Sequence, residues 1–459
     1  MDVERKPVVV VGLARSGIAA ATFLAGHGWP VVATDRKPAM ELEAEALRIE
    51  SRGVRLELGG HREATFVGAS MVVVSPGVPW DLPEIEAARR AGVPVIAELE
   101  LGFRHLAGEV VAVTGTKGKS TTTAALGQML RESGRDVRVG GNIGQAVTGL
   151  VEGSTPETVF VLEASSFQLE GTDSFHPRVA VFTNLSADHL DRHPSFEDYV
   201  RAKARIFRNQ TPEDWAVVNA DDESVLALAR AGRARLLPFR VSGPPLEAGA
   251  FFEGDTAWLR RGPGREALFP VSAIQLPGVH LHGDLLAAAA AAWLMGAGSE
   301  AITRAVAAFR GVEHTLERVA EVEGVLFFND SKATNVAAAR KSLEAFAGPV
   351  LPIVGGRYKG GDFRDLREAV AGHAKAVFAI GEARERVRQA LGDVAPVVEC
   401  DSLAAAVEGA FGAAAPGDTV LLAPACSSFD MFRDYAERGR AFKAEVMKLA
   451  QRVARRSDG

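Results

Sequence analysis

The chain has 459 residues, 47% of them hydrophobic, which is ordinary for a soluble globular protein and enough for several domains with their own cores. A formal net charge of -6, with no basic block beyond the short tail at 452–456, excludes the electrostatic footprint of a nucleic-acid binder. Only Cys400 and Cys426 are present and no apolar run reaches membrane-spanning length, which excludes a disulfide framework, a zinc cluster and a transmembrane helix.

The first stretch, MDVERKPVVVVGLARSG, lacks the cationic start and cleavage site of a signal peptide and runs straight into a strand, so the expected location is the cytoplasm. Short apolar runs then alternate with helical patterns along the chain, the signature of parallel α/β architecture. The first block holds VVVVG, VVATD, VRLELG, MVVVSPG and VPVIAE. Its turn GLARSG, formed by Gly12, Leu13, Ala14, Arg15, Ser16 and Gly17, matches G-x-G-x-x-G except at Ala14. Asp35 ends the next strand, where a dinucleotide-binding fold places its ribose-binding acid. Alanine at the middle position hinders close approach of a pyrophosphate, and the pattern alone also reads as a tight strand-to-helix turn. SPGVP, with Ser75 and Gly77, follows a later strand, and such strand ends are where open α/β sheets bind ligands.

Residues 98–108 read as a connector. The second block holds VVAVTG, VRVGGN, TVFVLEAS, VAVFTNLS and WAVVNADD. VVAVTGTKGKSTTTAALGQML, residues 110–130, reads as a buried strand, a glycine-rich turn and a helix. Gly115, Thr116, Lys117 and Gly118 would aim backbone N–H groups at an anion, Lys119 would reach the outer phosphates, and Ser120 or Thr121 would offer a hydroxyl to Mg2+. The general P-loop pattern wants glycine where this chain has Val113. Glu163 ends VFVLE and is a hard oxygen ligand suited to Mg2+. His189, in NLSADHLDRHP, reads by itself as a turn or cap residue, and Lys203, in YVRAKARIF, as a solvated helix face; their occurrence downstream of a phosphate loop points to a site. A Gly/Pro-rich stretch at 241–277 contains AFFEGDTAWLRR, which predicts a small antiparallel hairpin, and a sparsely charged helix over 285–295 follows.

The third block holds VLFFNDS, VLPIVGG, AVFAIG, VVEC and TVLLAPAC. Polar clusters follow its strands: Asp330, Ser331, Lys332, Thr334 and Asn335 in FFNDSKATN, then GGRYKGGDF, then APACSSFDMFRDYAERG. Single clusters of this kind also serve as helix caps and loop chemistry. Three in one domain point to function. The predicted architecture is three α/β domains, at 1–98, 99–311 and 312–459. The outer two are Rossmann-like and the central one is P-loop ATPase-like with a small antiparallel insertion.

Taken together, GTKGKST, GNIG, LEASSFQLE, NLSADHLDRHP, YVRAKARIF, NDSKATN and APACSSFDMF resemble the Mur ligase family, the ATP-dependent amino-acid ligases of peptidoglycan precursor synthesis. GLARSG and SPGVP resemble its N-terminal domain, so the likeness covers nearly the whole chain. SSFQLE with NDSKATN points to the D-glutamate-adding branch. The family's P-loop lacks the first glycine, which removes the objection at Val113. The resemblance implies ligation of D-glutamate to UDP-N-acetylmuramoyl-L-alanine through an acyl phosphate, by a cytoplasmic monomer with no nucleic-acid or membrane partner.

It also implies roles. The 1–98 domain would hold the UDP moiety around Gly12, Ala14, Arg15, Ser16, Gly17, Asp35, Ser75 and Gly77, and Asn142 would contact the substrate. Ser120 or Thr121 and Glu163 would hold one Mg2+, and His189 and Lys203 would serve a second, with Lys203 carbamylated by CO2. Lys119 and Lys332 would sit at the reacting groups, with His189 a candidate base. Asp330 would bind the nucleotide ribose. Thr334, Lys359, Ser428 and Phe429 would receive D-glutamate, with Tyr435 where relatives carry phenylalanine. Two departures fall on the ATP side: Asp284 in HLHGD replaces an adenine-contacting asparagine, and Thr315 in HTLE replaces an ATP-contacting arginine, with Arg318 three residues on. Three other functions compete: another ligase of this fold adding a different amino acid or acting on folate, a non-catalytic nucleotide-binding regulator, and an NAD-dependent oxidoreductase. SPGVP and SSFQLE argue against the first. Glu163, His189 and Lys203 argue against the second, and Ala14 with the separate P-loop against the third.

Overall fold

The computed structural model describes residues 6–42, 44–186, 188, 192–276, 278 and 280–457. They form two compact units, one of residues up to 274 together with 282–307, the other of 275–281 together with 308 onward. The first unit contains two sheets and the second one.

The N-terminal sheet is five-stranded and wholly parallel, in the order Arg55–Leu58, Val31–Asp35, Val8–Val11, Met71–Val74, Val95–Ala97. Val8–Val11 is four valines, each fully buried, as a central strand covered on both faces requires. The sheet order reverses about this strand, so the turns after Val11 and Val74 face each other across the crevice where such sheets bind ligands. The predicted connector after this sheet contains a helix, Glu98–Phe103, which its polar-apolar alternation did not signal. Glu100 is fully buried on it and accepts hydrogen bonds from the backbone N–H groups of Asp173, Ser174 and Phe175 and from Arg104, so the helix is set by tertiary bonds to the central domain.

The central sheet has nine strands, in the order Gly264–Pro270, Thr256–Arg261, Gly249–Glu253, Arg235–Arg240, Trp215–Asn219, Val179–Phe182, Glu109–Thr114, Val159–Glu163, Val137–Gly141. The strands from Gly249–Glu253 through Val137–Gly141 pair in parallel. The predicted hairpin is present as Gly249–Glu253 and Thr256–Arg261, but it extends the central sheet and gains a third antiparallel strand, Gly264–Pro270. The helix His280–Leu294 buries Ala287 through Ala292 completely, which explains its lack of charge.

The C-terminal sheet runs Glu317–Val322, Val325–Asn329, Thr419–Leu422, Val350–Gly355, Val377–Ile380, Val397–Glu399, parallel except for its first strand. Among the described residues no helix is long and apolar enough to cross a membrane.

Candidate active site

The strand Glu109–Thr114 lies between Val179–Phe182 and Val159–Glu163, so three C-terminal strand ends converge on the turn that follows it. Gly115 has φ of 148°, and a Cβ there would meet the Thr183 hydroxyl at 2.0 Å. Gly118 has φ of 79° and caps the helix Lys119–Glu132 with no side-chain bond, which leaves the first N–H groups of that helix for an anion. The turn is held from outside. The Thr116 hydroxyl is 2.9 Å from the Tyr199 hydroxyl and donates to the Ser186 carbonyl, while the Lys117 N–H donates to Asn184 Oδ1 at 2.8 Å. Lys119 Nζ donates to the Thr116 carbonyl at 2.9 Å, which folds its ammonium back over the turn.

Glu163 is 1% exposed and organises the floor. Its carboxylate accepts from the Ser120 hydroxyl at 2.7 Å and from Asn142 Nδ2 at 2.7 Å. Of the two hydroxyls proposed beside it, Ser120 is therefore the one bonded to Glu163, while Thr121 is half-buried on the same helical turn. Lys203 is 2% exposed and donates to the Gly115 carbonyl at 2.6 Å, with its ammonium 4.8 Å from the Tyr199 ring. Burial and the neighbouring Lys119 push the Lys203 amine down to about 7. Lys203 thus points into the P-loop and is not the solvated helix face that its segment suggests by itself. His189 lies outside the described residues. Among the described residues no three His, Cys, Asp or Glu side chains gather into a metal-holding group.

In the N-terminal domain the GLARSG turn is built by close contacts. A Cβ on Gly17 would lie 1.8 Å from the Gly12 carbonyl oxygen, and one on Gly12 would meet Val78 at 2.6 Å. The Ser75 hydroxyl donates to the Gly12 carbonyl at 2.8 Å, which ties the SPGVP turn to GLARSG. Gly77 has open space around it. Asp35 accepts from the backbone N–H of Leu13 at 2.7 Å, which braces the turn with one oxygen, and from that of Lys37 at 2.9 Å, which closes its own loop with the other. Ala14 caps the helix Arg15–Gly26 without a side-chain bond, Ser16 is buried in its first turn, and Arg15 donates to the Asn142 carbonyl at 3.1 Å, linking this turn to the Glu163 cluster.

The second unit carries its own cluster. Asp330 is buried, accepts from the Ser342 hydroxyl and from the Leu316 N–H at 3.3 Å, and burial raises its pKa. Lys332 is exposed and its N–H donates to the His314 carbonyl; Thr334 is half-buried, with its N–H on the Lys332 carbonyl. Lys359 lies 4.9 Å over the ring of Phe429, which is 54% exposed, and Ser428 is buried next to it. Tyr435 is partly exposed and edge-on to His314. Thr315 places a buried hydroxyl without a hydrogen-bond partner beside this loop, and Arg318 is bonded to Gln275 and Glu321.

Arg438 was missed by the sequence reading. It is 1% exposed, and it donates from Nε to the Ser331 hydroxyl at 3.0 Å, from one terminal nitrogen to the Ser331 carbonyl at 2.9 Å, and from both to the Cys426 carbonyl at 3.1 Å. It thereby staples the NDSKATN loop to the APACSSF loop. Burial pushes its guanidinium down to about 10. The sequence offers an arginine on a long amphipathic helix, which reads as surface charge. Tyr199 was missed as well, because a tyrosine before AKARIF carries no signal of facing a P-loop.

Three family models match the chain: the Mur ligase MurD-like N-terminal domain at 6–97, the Mur ligase middle domain at 113–292 and the Mur ligase glutamate ligase domain at 316–426. A protein of Acidobacterium capsulatum named UDP-N-acetylmuramoylalanine–D-glutamate ligase is 46% identical, over 97% of this chain and 97% of its own length. One of the same name from Koribacter versatilis is 42% identical over 98% of this chain and 99% of its own. Among solved structures, a UDP-N-acetylmuramate-alanine ligase from Thermotoga maritima shares the fold, with a TM-score of 0.58 at 19% identity over 97% of this chain and 100% of its own. With its P-loop, its Glu163 cluster and these full-length relatives, the chain belongs to the Mur ligase family.

Proposed function

We propose that this chain joins the amine of D-glutamate to the alanyl carboxylate of UDP-N-acetylmuramoyl-L-alanine, with ATP as phosphoryl donor, in peptidoglycan precursor synthesis. The names of its full-length relatives support the substrate pair. The observation that carries the chemistry is the linked set of Ser120, Glu163 and Asn142 beside Lys119 at the P-loop.

A carboxylate is a poor electrophile and amide formation in water is uphill. Transfer of the γ-phosphoryl group to a carboxylate oxygen breaks its bond to ADP and creates an acyl phosphate. The neutral amine then adds to the carbonyl carbon, the bond to phosphate breaks, inorganic phosphate leaves, and the amine gives up its proton. Lys119 acts on the charge that develops on the transferring group, the largest catalytic contribution expected in phosphoryl transfer, and Lys332 keeps that role on resemblance alone. Ser120 and Glu163 offer the hard hydroxyl and carboxylate oxygens that suit one Mg2+. That ion, when bound, would neutralise phosphate charge. Lys203 as an ammonium is unsuited to a second ion and suits one only as a carbamate. His189 keeps two roles on resemblance alone, ligand or general base.

In this reading the 1–98 domain takes the UDP moiety at the linked GLARSG and SPGVP turns, 99–311 takes ATP, and 312–459 takes D-glutamate through Thr334, Lys359, Ser428 and Phe429, with Asp330 on the ribose. ATP and a nucleotide-linked precursor are cytoplasmic metabolites, and the reading carries that location and a monomeric enzyme. The test is phosphate release with ATP, Mg2+ and UDP-N-acetylmuramoyl-L-alanine, comparing D-glutamate with L-glutamate, L-lysine and no amino acid. Release that depends on D-glutamate, and is lost by about 100-fold or more in Lys119→Ala, is expected. Equal release with L-glutamate or L-lysine refutes the substrate assignment.

A further inference from the structure

A buried acid lies in the wall of the P-loop. Asp284, on the helix His280–Leu294, is 8% exposed. Its Oδ1 stands 2.0 Å from the position a Cβ on Gly118 would take, so the carboxyl group rests on the residue that caps the P-loop helix. The Thr122 hydroxyl is buried beside it. Lys119 faces it from the P-loop helix and, with Thr122, favours ionisation; burial outweighs both and pushes the carboxyl up to about 7. On its own helix His282 packs against Phe252, with ring centroids 5.5 Å apart. A carboxylate in the wall of an anion-binding turn repels the ligand that the turn is built to hold, and more so where water is excluded.

We propose that Asp284 sets the nucleotide affinity of this chain: its carboxyl group admits the phosphates when protonated and weakens their binding when ionised. The proposal deepens the reading of the P-loop as the nucleotide site and rests on it. Polyphosphate charge entering the turn makes ionisation of the acid harder, so a proton is taken up on binding. The protonated form is the competent one, so affinity falls as pH rises above neutrality, by up to about tenfold per pH unit. Asparagine keeps the shape and cannot ionise.

Isothermal titration calorimetry of the full-length protein with MgADP tests this. Titrations at about pH 7.5 and about pH 8.5, where the phosphates are largely ionised, in buffers of different ionisation enthalpy give both Kd and the linked protons. The parent is expected to bind several-fold to about tenfold more weakly at the higher pH and to take up close to one proton more than Asp284→Asn, since the Lys203 amine, also near 7, can take up a proton in both. Asp284→Asn should exceed the parent's affinity at the higher pH. A parent that takes up no proton, or a variant that takes up the same proton, overturns the proposal. If Asp284→Asn does not fold, Asp284→Ser, which is smaller and also cannot ionise, takes its place in the comparison. Folded parent and variant that bind no MgADP at either pH overturn the nucleotide-site reading itself, and the proposal with it.

Discussion

Arg438 offers a test of how the second unit is held together. The substitution is Arg438→Met, which keeps length and apolar packing and removes the guanidinium. It deletes the bonds to the Ser331 hydroxyl, the Ser331 carbonyl and the Cys426 carbonyl, all in a buried setting. Each buried acceptor left unpaired costs roughly 1–3 kcal/mol. Partial relaxation and the relief of a buried charge offset part of that sum. The expected loss is about 3–5 kcal/mol, equivalent to a fall in Tm of roughly 6–20 °C for a unit of this size. Arg438→Lys should lie between, since an ammonium reaches one carbonyl and cannot fork across two loops. Urea unfolding followed by circular dichroism measures the stability. Phosphate release measures turnover, which should fall at temperatures where the variant is still folded, because Ser331 adjoins Asp330 and Lys332, and Cys426 lies two residues from Ser428. A methionine variant within about 0.5 kcal/mol of the parent, with more than half its turnover, refutes the reasoning.

Two further outcomes follow from the site. Lys203→Ala should be nearly inactive and Lys203→Arg should not rescue it, since the carbamate reading needs an anionic oxygen in that place; acetate at high concentration should restore part of the alanine variant's activity, and rescue by arginine without acetate would mean the residue works as a positive charge. Lys359→Ala should raise the KM for D-glutamate by about 10- to 100-fold, the worth of a charge-assisted bond, with little change for ATP; an effect confined to ATP would show the pocket misassigned.

Local signals in the sequence determined the alternation of strands and helices, the P-loop turn and the family. Continuous runs such as VVVV alternating with helical patterns fit strands buried on both faces of a parallel sheet, and a glycine-lysine-hydroxyl turn between strand and helix has few other uses. Those signals are short-range, carried by neighbours along the chain. The pairing of Ser120 with Glu163, the approach of Lys203 to Gly115, and Arg15 reaching Asn142 span 43, 88 and 127 positions, and only the stacking of strand ends decided them. The same holds for the strands that lengthened the sheets. Arg235–Arg240 carries an arginine at each end, and Glu317–Val322, an edge strand, carries acids and an arginine on partly exposed positions, so alternation is blurred until a neighbouring strand supplies the ladder. Charge is the residue property that sequence reads least well. Arg438 and Lys203 look like surface cations by composition, and Asp284 like an ordinary helix acid. Tertiary burial, by removing water from each, turned one into a structural clamp and moved the ionisation of the other two to near neutrality.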